Sequence, residues 1–301
     1  MYTKKTTIYL SAENLGLAYG LLGVVCFSLT LPATHAAVSD LDPTIVGLGR
    51  ALVAAVLAAL LLWATRQPWP APEHLKGLMW VASGVIIGFP WLTSWAMRLL
   101  PASHGAIVLG ILPLATAITG ALRMGERPSL GFWLFSVLGS VAVLAYTVMA
   151  GAGTMRWADL ALLGGVIGGA IGYAEGGRLA KTLGGWQVIS WALVLAAPIV
   201  VMPVLFSISQ HGLTASPSAW LGFGYVSLVS QLLGFFAWYK GLALGGVARV
   251  SQVQLLQPFL TIGASALLLH ETITPMMAAF ALLVATSVVL GRSMPIARRK
   301  R

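Results

Sequence analysis

The sequence predicts an all-α integral membrane protein in which ten transmembrane helices form two inverted five-helix repeats. Three observations carry that expectation: an apolar composition, ten apolar segments of bilayer length, and matches between the two halves at one constant offset.

Of the 301 residues, 58% are hydrophobic and 9% are charged, against about 25% charged in ordinary soluble domains. A soluble fold coats its surface with polar groups, and this chain has too few. The 34 Gly and 11 Trp agree, since Gly is frequent in membrane helices and Trp gathers at bilayer interfaces. The 18 Lys and Arg exceed the 8 acidic residues, but most lie between apolar segments. The one dense run, Arg298, Arg299, Lys300 and Arg301, reads as a cytoplasmic anchor and not as a nucleic-acid arm. Cys26 is the only cysteine, so no intrachain disulfide forms. The first apolar run, near Leu15, lacks a small-residue cleavage site and is read as the first span.

A helix needs about 20 mostly apolar residues to cross a bilayer. Segments at roughly 15–37, 44–65, 75–97, 102–123, 129–150, 158–180, 186–207, 218–240, 247–269 and 274–292 qualify. Lys and Arg accumulate on the cytoplasmic side of membrane proteins. With both termini inside, that side receives 15 of the 18 basic residues, the outside receives Arg98 and Arg156, and Arg50 lies within a span.

An ungapped offset of 145 superposes Gly20 on Gly165, Gly23 on Gly168, Pro113 on Pro258, Thr116 on Thr261 and Glu126 on Glu271. The halves are 1–150 and 151–301, and five spans in each put the second half into the membrane from the opposite side. Inverted repeats of this kind underlie many secondary transporters, with sites at mid-membrane between the halves.

Ten short-looped spans, with the Pro113-to-Glu126 spacing repeated from Pro258 to Glu271, resemble the EamA-type branch of the drug/metabolite transporter superfamily. The resemblance covers essentially the whole chain. It implies a multi-pass carrier of the bacterial inner membrane, commonly an exporter of amino acids or related small metabolites.

Polar groups within a span turn towards protein or a wet cavity. Gln254, Gln257 and Thr261 share one face of the ninth span. Their amides suit a zwitterionic ligand, or alternatively bind neighbouring helices. In the eighth span, Ser227, Ser230 and Gln231 lie near the middle, and Trp238 and Tyr239 nearer the cytoplasm. Trp91, Ser94 and Trp95 share a face of the third span, as a wall for an apolar substrate group or as interface anchors.

Arg50 is expected to snorkel to the outer surface and pair with Asp40 or Asp42; the alternative is attraction of a substrate carboxylate. Glu175 either carries a coupling proton or pairs with Arg178 one turn on. Pro113 and Pro258 are candidate gating hinges, because proline bends a helix. His104 and His270 fall at outer ends and are expected to be wetted, and the stripe Gly164, Gly168, Gly172, Gly176 is expected to pack helices.

Catalytic and metal signals are weak. The stretch Glu175–Thr182 lacks the glycine a phosphate loop needs, and neither HExxH nor GxSxG occurs. No cofactor or metal is expected. A secondary carrier for a small molecule, working by alternating access, fits best; a membrane-embedded enzyme acting on lipid and a channel are the alternatives.

Overall fold

The computed structural model describes residues 11–124, 126–149, 157–270, 272–292 and 294–298. Lys4, Lys5, Arg156, Glu271, Arg299, Lys300 and Arg301 lie outside the described residues, and the side chain of Glu126 is likewise not described.

In chain order the helices are α1 Ala12–Val38, α2 Ile45–Ala64, α3 Pro72–Leu99 and α4 Ala102–Arg123. Next come α5 Leu130–Met149, α6 Trp157–Leu179 and α7 Gly185–His211. The last three are α8 Pro217–Gly245, α9 Val247–Leu269 and α10 Pro275–Arg292. Hydropathy predicts ten spans. Among the described residues, eight helices, α1–α4 and α6–α9, are long and apolar enough to cross a membrane. At the other two expected places stand α5, apolar over Leu130–Ala142, and α10, of 18 residues.

Local chemistry sets the ends. The Ser11 hydroxyl accepts from Asn14 N–H at 3.2 Å and caps α1. Pro72 and Pro217 open α3 and α8, where a missing N–H costs nothing. Gly184 and Gly246, at φ 94° and 87°, make the tight turns into α7 and α9, a backbone region that a Cβ disfavours.

One departure from the all-α expectation lies after α10. Pro295 cannot continue the helix, its carbonyl accepts from Ser129 N–H at 3.0 Å, and the chain beyond it forms a strand. This strand, β2 (Ile296–Arg298), pairs antiparallel with β1 (Glu126–Pro128), Arg127 opposite Ala297. The start of the basic tail is thereby tied to the α4–α5 connection.

Helix pairing crosses between the halves. α1 packs along α8, and α3 and α4 pack on α6; α2 lies on α7, and α5 on α10. Lipid gives helices no hydrophobic drive to associate, so close approach decides. Gly16 faces Gly245, where an added Cβ would come to 2.5 Å from the backbone nitrogen. Of the glycine stripe, Gly164 meets Leu92, Gly168 meets Gly84, Gly172 meets Val85 and Gly176 meets the Tyr239 ring. That stripe is a packing surface. Val56, Met202, Phe206 and Leu221 are exposed on the outside of the bundle, as lipid-facing residues are.

Candidate functional site

Six helices are broken, and the breaks meet. α1 is interrupted at Leu29, four residues before Ala33. α2 opens with a π-helical turn, Ile45–Gly49, and α3 and α8 contain π-helical stretches, Ala82–Gly88 and Val226–Leu233. α4 and α9 tighten into 3₁₀ turns, Leu109–Ile111 and Gln252–Leu256. Beyond each of these two turns, after one intervening residue, stands a proline, Pro113 or Pro258. Proline removes the N–H due to the carbonyl four residues back and its ring crowds that carbonyl. The carbonyls concerned belong to Leu109 and Gln254, so both devices arise from the same local cause. At the 145-residue offset the π stretches of α3 and α8 match within one residue, and the two 3₁₀ turns overlap.

A cavity lies among the breaks. It is lined by Phe27, Thr30 and Leu31 of α1, Arg50 of α2, Val85 and Phe89 of α3 and Leu109 of α4. Tyr173 of α6, Ser230, Gln231 and Phe235 of α8 and Gln257 of α9 complete it. Its free volume, about 10 Å³, is on the order of one water molecule.

The freed backbone carbonyls around the cavity are satisfied by side chains of the second half. Pro90 has no N–H for the carbonyls one turn earlier, and the Phe89 N–H goes to Gly84. The Val85 carbonyl accepts instead from Gln231 Nε2 at 3.3 Å. In α1, Pro32 leaves the Ser28 carbonyl without its helical donor; it accepts from Thr261 Oγ1 at 2.7 Å. The neighbouring carbonyls of Cys26 and Phe27 accept from the Tyr225 hydroxyl at 2.8 Å and from Gln257 Nε2 at 3.4 Å. Thr30 and Ser230 share a hydroxyl hydrogen bond at 2.8 Å. An unmet carbonyl in hydrocarbon costs several kcal/mol, so irregular backbone survives only with partners like these.

Arg50 corrects the expectation drawn from the sequence. Its side chain does not reach the surface: the residue is 1% exposed and lines the cavity. Neither Nε nor Nη1 has a hydrogen-bond partner. The cause lies one turn before it. A π turn holds an extra residue, which rotates the rest of the helix by about 100° relative to an unbroken one, and Ile45–Gly49 directly precedes Arg50.

The two expected partners are engaged elsewhere. Asp40 accepts from Ser216 N–H at 2.8 Å, and the Ser216 hydroxyl and amide hold its carboxyl below the usual range. Asp42 accepts from Ser207 Oγ at 2.6 Å and Thr44 N–H at 2.8 Å, with His211 3.9 Å away. Burial pushes the Asp42 carboxyl up, but the Ser207 and Thr44 hydrogen bonds and the His211 charge outweigh it, and the net direction is down.

The remaining candidates divide. Gln231 and Gln257 line the cavity. Gln254 is buried beside the Tyr173 hydroxyl, yet neither amide atom makes a hydrogen bond of good geometry. Tyr239 is fully buried and donates to the Gly172 carbonyl at 3.2 Å, tying α8 to α6. Trp91 and Trp95 are 39% and 44% exposed and do not line the cavity. Trp91 reaches Thr44 Oγ1 at 3.4 Å, and Ser94 is buried with its hydroxyl turned back to the Pro90 carbonyl at 2.8 Å.

Glu175 is buried and ion-paired. Its Oε1 accepts from Arg178 Nη2 at 2.7 Å, and Arg123 Nη1 of α4 lies 3.9 Å from Oε2. His104 is not simply wetted, since its Nε2 lies 2.6 Å from Asp159 Oδ1; His270 is exposed, in left-handed conformation at the end of α9.

Sequence reasoning missed the aromatic wall. Phe27, Tyr173 and Phe235 pack against one another with ring centroids 5.0 to 6.3 Å apart, Phe27 stacked on Tyr173 and Phe235 tilted to both. In a chain rich in apolar residues, nothing in the sequence separates these rings from lipid-facing ones. Thr30 had a signal, a hydroxyl two residues before a mid-span proline.

A bundle of membrane-crossing helices whose breaks enclose a polar cavity defines the class: a membrane transporter. The EamA-like transporter family model matches twice, over residues 14–148 and 156–291, and the chain belongs to that family. It is 46% identical over 255 residues to an uncharacterized transporter of Bacillus subtilis (strain 168), YdeK, covering 84% of this chain and 88% of that one. It is 23% identical over 285 residues to a probable terminal-alkyne amino-acid exporter of Streptantibioticus cattleyicolor, covering 93% and 94%. A crystal structure of a protein 15% identical superposes with a TM-score of 0.75, over 92% of this chain and 97% of the other, which shows a shared fold.

Proposed function

We propose that the protein is a secondary transporter that exports amino acids or related small metabolites across the bacterial inner membrane by alternating access. The observation that carries this is the convergence of helix breaks from both halves on one cavity, with the π and 3₁₀ devices recurring at the 145-residue offset. Cross-half packing supports the same conclusion. α1 on α8 and α6 on α3 are equivalent pairs under exchange of the halves, so a second packing with the roles exchanged is available at similar energy. The halves, 1–150 and 151–301, are inverted repeats in this proposal, and α5 and α10 complete ten spans. Pro113 and Pro258 are the hinges on which the cavity widens from its present volume. The exporter named among the relatives supports amino acids as the first substrates to try.

The basic bias supports an orientation with both termini in the cytoplasm and the α1–α2 and α7–α8 connections outside. In a Cys26→Ser background, single cysteines at residues 40 and 212 react with an impermeant label from outside; labelling only from the cytoplasm refutes the map. Function is tested by counterflow in proteoliposomes with a panel of amino acids and related acids. Saturable, protein-dependent flux is expected. Absence of flux across the panel refutes the carrier, non-saturating flux indicates a channel, and chemical turnover in detergent indicates an enzyme.

A further inference from the structure

Among the described residues, the cavity lining holds one cation and no acid. Arg50 lines it, is 1% exposed, and leaves Nε and Nη1 unpartnered. A guanidinium stays protonated in proteins and presents five N–H donors in a fork that matches a carboxylate. Buried without an anion it is strongly unfavourable, and no hydrogen bond of the protein compensates these two nitrogens.

The described carboxylates are all engaged away from the cavity. Glu13 pairs with Arg249, Glu73 with His74, Asp159 with His104 and Glu175 with Arg178. Asp40 and Asp42 are held by Ser216 and Ser207. Glu126 and Glu271 come in sequence after the ends of α4 and α9, and roughly 15 Å of helix separates Pro113 and Pro258 from those ends.

The other polar residues of the lining, Thr30, Tyr173, Ser230, Gln231 and Gln257, are neutral. One amide N–H of each glutamine is given to a backbone carbonyl, and one hydroxyl hydrogen bond joins Thr30 to Ser230. A ligand carboxylate would meet the unpartnered Nε and Nη1 of the guanidinium. A ligand ammonium would meet neutral oxygens beside a positive charge. The rest of the wall is apolar and aromatic, with Phe27, Phe89 and Phe235.

We infer, resting on the carrier function proposed above, that this site takes an organic monoanion: a carboxylate on an apolar or aromatic body. It favours that anion over the matching zwitterion, and both over the matching amine, with Arg50 as the anchor.

The test uses three labelled ligands that share one benzyl group: 3-phenyllactate, phenylalanine and phenethylamine. Counterflow of each is measured with the wild-type chain in proteoliposomes. The expected order is phenyllactate, phenylalanine, phenethylamine, with the anion at least about tenfold faster than the amine, since truncating or mismatching a buried charge contact costs at least that factor. The variant Arg50→Gln is expected to reduce the anion preference to about twofold or less, and Arg50→Lys to retain part of it. Faster flux of phenylalanine or phenethylamine than of phenyllactate overturns the inference and leaves the carrier standing. So does an unchanged preference in a folded Arg50→Gln protein; if that variant does not fold, the wild-type order alone decides. Flux within the wider amino-acid panel but none of these three also overturns the inference alone. No flux in either panel overturns the carrier as well.

Discussion

Gln231 donates its amide N–H to the Val85 carbonyl at 3.3 Å, joining the π-helical stretch of α8 to that of α3 inside the cavity. The bond exists because Pro90 leaves that carbonyl without a backbone donor. A polar side chain of one half thereby completes the backbone of the other. Gln231→Leu leaves the Val85 carbonyl buried and unmet, which costs about 1–3 kcal/mol. A lower melting temperature in detergent, together with reduced transport, is expected. Gln231→Glu keeps an acceptor only and is expected to fare no better; wild-type stability in both variants would show the contact to be dispensable.

Arg50 poses the opposite balance. Replacing an uncompensated buried charge by an apolar side chain of similar length removes a desolvation cost, as buried ion pairs replaced by apolar groups show. Arg50→Met is expected to be more stable than the wild type by on the order of 1–3 kcal/mol and to lose transport of carboxylates. Thermal melts and vesicle uptake on the same preparation check both halves. A variant less stable than wild type would mean that Arg50 holds the fold together.

The two prolines are expected to act alike. Pro113→Ala and Pro258→Ala each restore an N–H towards Leu109 or Gln254 and allow the 3₁₀ turn to relax to α-helix. Each variant is expected to fold with unchanged or slightly raised stability, and to transport several-fold more slowly because the helix no longer bends there. Wild-type turnover in the double variant would remove the hinge role.

Asp42 makes the start of α2 and the end of α7 sensitive to acid. Its carboxyl lies below the ordinary aspartate value of 3.8 in the folded protein. The stabilisation it provides is therefore present above that value and is lost as pH falls through the folded-state pKa. Melting temperature followed from pH 6 to pH 3 is expected to fall more steeply in the wild type than in Asp42→Asn. Parallel curves would assign the acid sensitivity to other groups.

Glu175 joins α6 to α4 through Arg123, while Arg178 of its own helix holds its other oxygen. As a latch between helices it requires its charge for stability and not for proton movement. Glu175→Gln is expected to lower stability by about 1 kcal/mol, as partly exposed ion pairs do, and to keep the wild-type dependence of transport on external pH. A flattened pH profile in the variant would make Glu175 a coupling group.

Membrane residence, the order of the apolar helices, the matches at the 145-residue offset and the positions of Gln231 and Gln257 along their helices were legible in the sequence alone. These are properties of position along the chain, and depth in a membrane is fixed by position with little ambiguity. The direction in which a side chain points is different, because every residue turns it by about 100° and any break in the helix shifts all later ones. The turn Ile45–Gly49 carries Arg50 inward, away from Asp40 and Asp42. Trp91 and Trp95 come after the π stretch Ala82–Gly88 and Pro90, and stand exposed outside the cavity. Whether Gln231 meets a ligand, a helix or a bare carbonyl depended on Pro90 of another helix. That meeting is made by packing between the halves, which is why only the tertiary structure decided which polar groups share one site.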